Sequence, residues 1–230
     1  MSNISGSAGR RLPKGVNILY EDNDILVAIK PAGLLTMATE RDKNRTLYAM
    51  LTAYVRKGQA RSSNRIFIVH RLDRDTSGII IFAKNAEAKM KLQAGWEETE
   101  KKYVAVVHGR CKNKEGTITT YLTENKAQVV YSTKDPSKGK LSHTAYRVLR
   151  ETKDFSLLEV NLLTGRKHQI RVHLAEIGHP VVGDEKYGGG RKAYGRLALH
   201  AKSISFIHPA TGERLTFETG VPEYFNKLVD

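Results

Sequence analysis

The chain has a single cysteine, Cys111, among 230 residues. That excludes a disulfide framework and a zinc site built on cysteines, and it suits a reduced intracellular compartment, so the cytoplasm is the expected location. No apolar run approaches the roughly 20 residues needed to span a bilayer, and no long basic amphipathic helix stands out, so no membrane association is expected. Residues 1–15 lack the apolar core of a secretory signal. With Arg10, Arg11 and Lys14, no acid and three serines, they have a composition that a transit peptide shares, and they read as a disordered basic tail.

Motifs for nucleotide cofactors are missing as well. There is no Gly-x-x-x-x-Gly-Lys-Ser/Thr phosphate loop, and Gly188, Gly189 and Gly190 lack the strand-then-helix setting of a dinucleotide fingerprint. His168 and His173 fall on a predicted helix about 140° apart in direction, so they share no face for a metal. Neither a cofactor nor a metal is expected. Acids are also scarce, with 24 Asp+Glu against 38 Lys+Arg, a net charge of +14 and a pI near 9.8. Such an excess favours a polyanionic partner through counterion release and long-range attraction, and nucleic acid comes first among these. The length suits one main domain over residues 16–230.

What the sequence does have is a succession of short apolar runs. Ile25–Lys30 reads as a buried strand ended by Pro31 and Gly33. Ile66–Val69 and Ile79–Ala83 read as strands either side of a polar segment. Asn85 is placed to cap a helix with Ala86, Met90 and Ala94 on its core-facing stripe and with Glu87 and Lys91 paired at i, i+4. Strands are predicted over 103–107, 117–122, 127–132, 142–150, 155–163, 197–207 and 214–219, mostly antiparallel. A helix is predicted over 167–177, with Ile170, Leu174 and Ile177 facing the core and Gly178 at its C-terminal cap.

Two polar clusters stand out from this frame. His70-Arg71-Leu72-Asp73-Arg74-Asp75-Thr76-Ser77-Gly78 places two carboxylates, several cations and two hydroxyls between core strands, where a rigid scaffold commonly carries function. The alternative is a charged turn in which Asp75, Thr76 and Ser77 bond the backbone. The second cluster, Thr164 to Arg171, brings Arg166, Lys167 and Arg171 to a helix start. Cations there oppose the macrodipole, so an internal carboxylate or a bound phosphate is expected to compensate them, and an Asp73–Arg171 pair satisfies both clusters.

Taken in order, these motifs resemble the RluA-type pseudouridine synthases across nearly all of residues 16–225. Lys30-Pro31-Ala32-Gly33 resembles an early family element, and His70-Arg71-Leu72-Asp73 with Thr76-Ser77-Gly78 its active-site signature. Lys102-Tyr103-Val104-Ala105 follows, then Gly165-Arg166 to His173, Gly178-His179-Pro180 and Gly183-Asp184 to Tyr187-Gly188. The resemblance implies an α+β fold, a mixed, mostly antiparallel sheet with flanking helices around a central RNA-binding cleft. It implies that Asp73, and not Asp75, is the catalytic carboxylate. Arg71 helps extrude the target uridine or fills its place, Tyr103 stacks on the base, and Arg171 pairs with Asp73. It also implies an isomerase without a cofactor that acts on structured RNA, ribosomal before transfer RNA, as a monomer with no obligatory protein partner.

Three basic segments are candidates for guiding RNA: 56–65, 134–140 and 186–196, the last with Tyr187 and Tyr194 interleaved. The family often carries a separate N-terminal RNA-binding domain, which fifteen residues before Val16 are too few to encode. Target choice is therefore expected to reside in the catalytic domain or in the RNA's shape. Two rivals remain. One is an inactive RNA-binding or assembly protein on the same fold, whose mark is a lost Asp73. The other is a carbohydrate hydrolase using Asp73 and Asp75, about 6.6–6.8 Å apart on an extended segment; it explains neither the charge nor the later motifs.

Overall fold

Eleven strands and four short helices follow one another in a computed structural model that describes residues 15–38, 45–57, 59, 61–190 and 195–230. In chain order they begin with β1 (Asn17–Glu21), β2 (Ile25–Lys30), α1 (Leu47–Val55), β3 (Phe67–Ile68), β4 (Ser77–Ala83) and α2 (Ala86–Ala94). After a single 3-10 turn at Trp96–Glu98 come β5 (Glu100–His108), β6 (Glu115–Glu124), β7 (Val130–Thr133), β8 (Lys140–Glu151) and β9 (Phe155–Leu162). The last are α3 (Gln169–Glu176), β10 (Leu199–Ile207), β11 (Arg214–Glu218) and α4 (Glu223–Val229). The expected basic tail lies, up to residue 14, outside the described residues.

The chain groups into two compact units, residues 1–99 with 205–217 and residues 100–204 with 218–230. In the first, β2 runs antiparallel to β1 and to β4, in register from Ile25 opposite Ala83 to Lys30 opposite Gly78. Ile25 to Ala28 and Ile79 to Ala83 are all buried, which is why these two strands read as continuous apolar runs. The short β3 pairs Phe67 with Ala83 and Ile68 with Phe82. Residues 205–217 form a hairpin whose turn is closed by His208 donating to Glu213 and by Gly212 in the left-handed region at φ 73°.

Asn85 caps α2 as expected, its side chain accepting from the Ala88 amide at 2.7 Å, and Lys91 pairs with Glu87 at 2.8 Å. The buried stripe differs from the expected one. Ala88 and Leu92 face inward, while Met90 is 65% exposed. Asn85 also donates to Asp24 at 2.7 Å, which fixes the rotation of the first turn and turns the slimmer Ala88–Leu92 stripe onto the strands. Helix α1, for which no expectation was formed, starts at Thr46, which accepts from the Ala49 amide, and buries Leu47, Leu51 and Val55 at i, i+4 and i+8.

In the second unit the order is β5-β9-β8-β6-β7, every registered pair antiparallel. Helix α3 lays Val172 against Leu122 and Val130, and α4 buries Phe225 and Val229. Gly178, at φ 86°, follows the α3 C-cap as expected, whereas Ile177 is exposed and the helix begins at Gln169 instead of 167. His168 therefore lies outside the helix. His173 is buried, with Thr144 at 2.9 Å from Nδ1 and Thr120 at 2.9 Å from Nε2. His200 is also buried, 2.8 Å from the Thr219 hydroxyl.

Burial, aided by the neighbouring charges of His143 and Arg196 respectively, lowers His173 and His200 to about 4 each. The unfolded chain thus binds more protons than the folded one between pH 4 and about 6.5, and stability falls as pH drops through that window. A shift of this size corresponds to about 3 kcal/mol per histidine. Thermal unfolding followed from pH 7 to pH 4 is expected to show the loss. His173→Gln, which takes up no proton there, should remove about half of this dependence, even with a lower melting temperature at neutral pH. An unchanged slope would contradict this account.

Candidate active site

The polar loop between β3 and β4 belongs wholly to the first unit, and its backbone is tied at Val69, Leu72 and Arg74. Ile68 and Ser77 bound it on the strands. The Val69 carbonyl accepts from Gln93, and His70 Nε2 accepts from the Ile81 amide at 3.1 Å while its ring lies 4.6 Å from that of Trp96. Leu72 buries its side chain. The Thr36 hydroxyl donates to the Leu72 carbonyl at 2.9 Å and accepts from its amide at 3.3 Å. The Arg74 carbonyl accepts from the Gly33 amide at 2.9 Å and from Lys30 Nζ at 2.8 Å. Asp73, partly buried, therefore sits between two residues whose peptide groups are fixed.

Lys30 supplies the central tie. Its side chain lies at the end of a largely buried strand, is itself 0% exposed, and donates to the carbonyls of Pro31 at 2.9 Å, Leu34 at 2.7 Å and Arg74 at 2.8 Å. The turn that brings these carbonyls round needs Gly33 at φ 81°. Burial pulls the ammonium down to about 8, against the opposing pull of the Asp75 and Asp73 charges. Sequence inspection quoted Lys30 only as part of a motif. The available signal was a lysine at the inward end of an apolar run, since lysine is almost never buried without acceptors.

The remaining members of the loop differ in exposure. Arg71 is exposed, its guanidinium 3.6 Å from the Met37 sulfur. Arg74 and Asp75 form a surface pair at 3.4 Å. Asp75, Thr76 and Ser77 were the candidates for a simple charged turn; Thr36, Lys30 and Gly33 tie the backbone of this loop from outside it.

Tyr103 and Arg171 belong to the second unit. Tyr103 lies in β5 opposite Val160 and is 8% exposed. Arg171, in the first turn of α3, donates through Nε and Nη2 to the two oxygens of Asp184, each at 2.8 Å. Asp184 Oδ1 also accepts the amides of Lys186 and Tyr187 at 3.0 Å. Burial opposes its ionisation, but the Arg171 bonds and charge, with those amides, hold the carboxyl below the usual carboxylate range. The Tyr187 ring lies 5.1 Å from the guanidinium carbon, and its hydroxyl accepts from the Val130 amide at 3.1 Å and lies 2.8 Å from His168 Nδ1.

Internal carboxylates thus compensate the cations expected at this helix start: Asp184 for Arg171 and Glu124 for Lys167. The side-chain amide oxygen of Gln169 accepts from the Thr164 hydroxyl and the Arg166 amide, and its amide nitrogen donates to the His143 carbonyl and the Thr144 hydroxyl. Asp184 was missed as a functional candidate because its partner is thirteen residues away, beyond any helical or strand period.

Elsewhere, Asp22, Asp24 and His208 come within metal-binding reach of one another. Their atoms are already engaged. Asp22 accepts from Tyr20, His208 and the amides of Asp24 and Ile25, and His208 Nδ1 accepts from the amides of Ala210 and Thr211. The cluster pins the 208–212 turn to the turn between β1 and β2. Of the basic segments, Arg56 and Arg65 are tied to the Asn64 carbonyl and the Phe67 ring, Lys138 to Asp135, and Lys186 to the Gln128 carbonyl. Residues 58, 60 and 191–194, Tyr194 among them, lie outside the described residues. Among the described residues no helix is long and apolar enough to cross a membrane.

A family model described as RNA pseudouridylate synthase matches residues 24–176. An uncharacterized RNA pseudouridine synthase of Bacillus subtilis, YhcT, is 38% identical over 217 residues, 93% of this chain and 71% of that protein. The ribosomal large subunit pseudouridine synthase D of Xanthomonas campestris is 33% identical over 231 residues, 93% of this chain and 68% of that protein. The solved structure of human RNA pseudouridylate synthase domain containing 1 superposes with a TM-score of 0.73 at 26% identity, over 94% of this chain and 87% of that one.

The geometry of Lys30 yields a test. In Lys30→Met three buried carbonyls lose their donor, at about 1–3 kcal/mol for each group left unsatisfied, partly offset by relief of the buried charge. A net loss of about 2 kcal/mol or more is expected in denaturant unfolding, with faster amide exchange at Gly33 and Leu72. Unchanged stability and exchange would show that Lys30 does not hold the loop.

Proposed function

The chain belongs to the RNA pseudouridylate synthase family, of the RluA type, and is an isomerase acting on RNA; from that premise we propose that Asp73 is the carboxylate that carries the reaction. The observation that supports this most is the loop itself: a partly buried acid whose two neighbours are clamped through Thr36, Gly33 and Lys30. A reacting group must be held close to its productive geometry, and this backbone is pre-organised for that. Asp75 instead shares a surface ion pair with Arg74.

The isomerisation exchanges one bond for another. The bond from the ribose C1′ to N1 of uracil breaks, the base turns, C1′ bonds to C5, and the C5 proton leaves while N1 gains one. No electron, phosphate or acyl group changes hands. An ionised Asp73 serves either as a nucleophile or as a base toward the ribose. Arg171 is read as the cationic partner of Asp73, as the family resemblance implies. A uridine in folded RNA must first leave its stack, at a cost of a few kcal/mol. Arg71, exposed on the same loop, offers a cation to extrude the base or fill its place, and Tyr103 is read as the aromatic that stacks on the base.

We read the substrate as ribosomal RNA before transfer RNA, in keeping with the name of the Xanthomonas relative, and the enzyme as a cytoplasmic monomer that needs no cofactor. The two compact units together form the catalytic domain in this reading.

Asp73→Asn keeps the shape and removes the charge. It is expected to lower conversion of uridine by about 10²–10⁴-fold or more, while Asp75→Asn stays within a few-fold of the wild type. Pseudouridine mapping of total RNA from cells with and without the protein should lose one or a few ribosomal sites. Activity that survives in Asp73→Asn would refute the assignment, and loss confined to transfer RNA would refute the substrate.

A further inference from the structure

A strand inside a sheet can release its chain into a loop only where another acceptor takes over the hydrogen bond that the departing backbone gives up. Strand β3 runs antiparallel to β4 with Phe67 opposite Ala83 and Ile68 opposite Phe82, so the next pair in this register is Val69 opposite Ile81. In a hydrogen-bonded antiparallel pair the Ile81 N–H would go to the Val69 carbonyl. Here it donates to His70 Nε2 at 3.1 Å, and the Val69 carbonyl accepts from the Gln93 side chain at 3.4 Å. A backbone N–H only donates, so Nε2 meets it with its lone pair. The imidazole is held in turn by the Trp96 ring, 4.6 Å away at 34°. Gln93 lies in α2 and Trp96 in the 3-10 turn that follows, and all of these residues belong to the first unit.

The sheet alone has no need of this exchange. With an apolar side chain at position 70, the ladder would close by one more pair, because Ile81 is fully buried and its amide has no water to turn to. The chain would then leave the sheet later and at another angle. We propose that His70 is a positioning residue for the isomerisation: its Nε2 replaces a strand carbonyl at the root of the loop and fixes where the chain departs toward Asp73. Thr36 and Lys30 fix Leu72 and Arg74 further along the same loop. The proposal rests on the reading of Asp73 as the reacting carboxylate. It adds that the place of Asp73 depends on an acceptor in a side chain that acts on the backbone and not on the RNA.

The test compares His70→Met, His70→Gln and Asp73→Asn in the full chain, with kcat and KM for pseudouridine formation on total RNA purified from cells lacking the protein. Glutamine carries its Oε1 as many bonds from the backbone as histidine carries Nε2, so it can accept from Ile81. Methionine has the same length and ends in a methyl group. In His70→Met, kcat is expected to fall about 10- to 100-fold, the cost of a small misplacement of a reacting group. KM should stay within about threefold, because no interaction with RNA is removed. His70→Gln should recover most of kcat.

Three results would overturn the proposal. One is an unchanged kcat in His70→Met while Asp73→Asn loses activity, which leaves Asp73 standing and makes His70 structural. Another is an equal loss in His70→Gln and His70→Met, which makes the ring and not its acceptor the requirement. The third is a raised KM with intact kcat in His70→Met, which makes the residue a contact for RNA. If Asp73→Asn itself keeps full kcat, the reading of Asp73 has failed and the proposal falls with it. Should His70→Met not fold, His70→Asn carries the test, since its side-chain oxygen stops one bond short of the Ile81 amide. The same fall in kcat is expected there, with His70→Gln active, and an unchanged kcat overturns the proposal.

Discussion

A lysine ammonium shut away from water holds the loop that carries Asp73. Lys30 reaches no carboxylate in its three bonds; its partners are the carbonyls of Pro31, Leu34 and Arg74, neutral dipoles that share one positive charge. The arrangement makes physical sense because each hydrogen bond to a charged group is stronger than a neutral one and because burial leaves no competing water. Its consequence is conformational. Lys30 and Arg74 are 44 residues apart in the chain, so the 30–34 turn and the 70–78 loop acquire a common anchor, which Thr36 and Gly33 reinforce.

Charge organises the second unit by a different route. There the buried cation, Arg171, meets a true carboxylate, Asp184, in a two-bond pair, and the exposed Lys167 meets Glu124. The difference follows from shape. An ammonium has three donors that diverge and suit three separate oxygens, whereas a guanidinium is planar and suits two parallel ones. Lys30 accordingly draws several pieces of backbone together, and Arg171 is set in one orientation. A fixed backbone around Asp73 and a fixed plane at Arg171 are two forms of pre-organisation, each within its own unit.

Strands were the most legible part of the fold, and the reason lies in burial. Ile25–Lys30 was found with its bounds intact because both faces of β2 are covered, so each residue carries the signal. Helices were less legible. The α2 stripe was misassigned because Ala86–Met90–Ala94 and Ala88–Leu92 are both apolar, and the choice between them rests on tertiary contacts such as the Asn85–Asp24 bond, 61 residues apart. Helix α1 lies beside a basic stretch whose composition spoke of a loop. At the site, Asp73 stood out as an acid between core strands, while Lys30 and Asp184 did not stand out as functional candidates. A single lysine at a strand end or a single aspartate after a glycine has no period to betray it; their meaning is fixed by partners that the fold supplies.

The excess of positive charge can now be divided by where it sits. Lys30 and Arg171 are buried and satisfied inside the protein, so they contribute little to attraction at long range and a great deal to local geometry. The field that draws RNA must come from the exposed cations, such as Arg71, Arg61, Lys134 and Lys140, which among the described residues outnumber the exposed acids. Salt screens exposed charges over about 8–10 Å but reaches buried pairs far less. The same net charge of +14 therefore serves two separable ends: capture of a polyanion that weakens as ionic strength rises, and placement of reacting groups that does not.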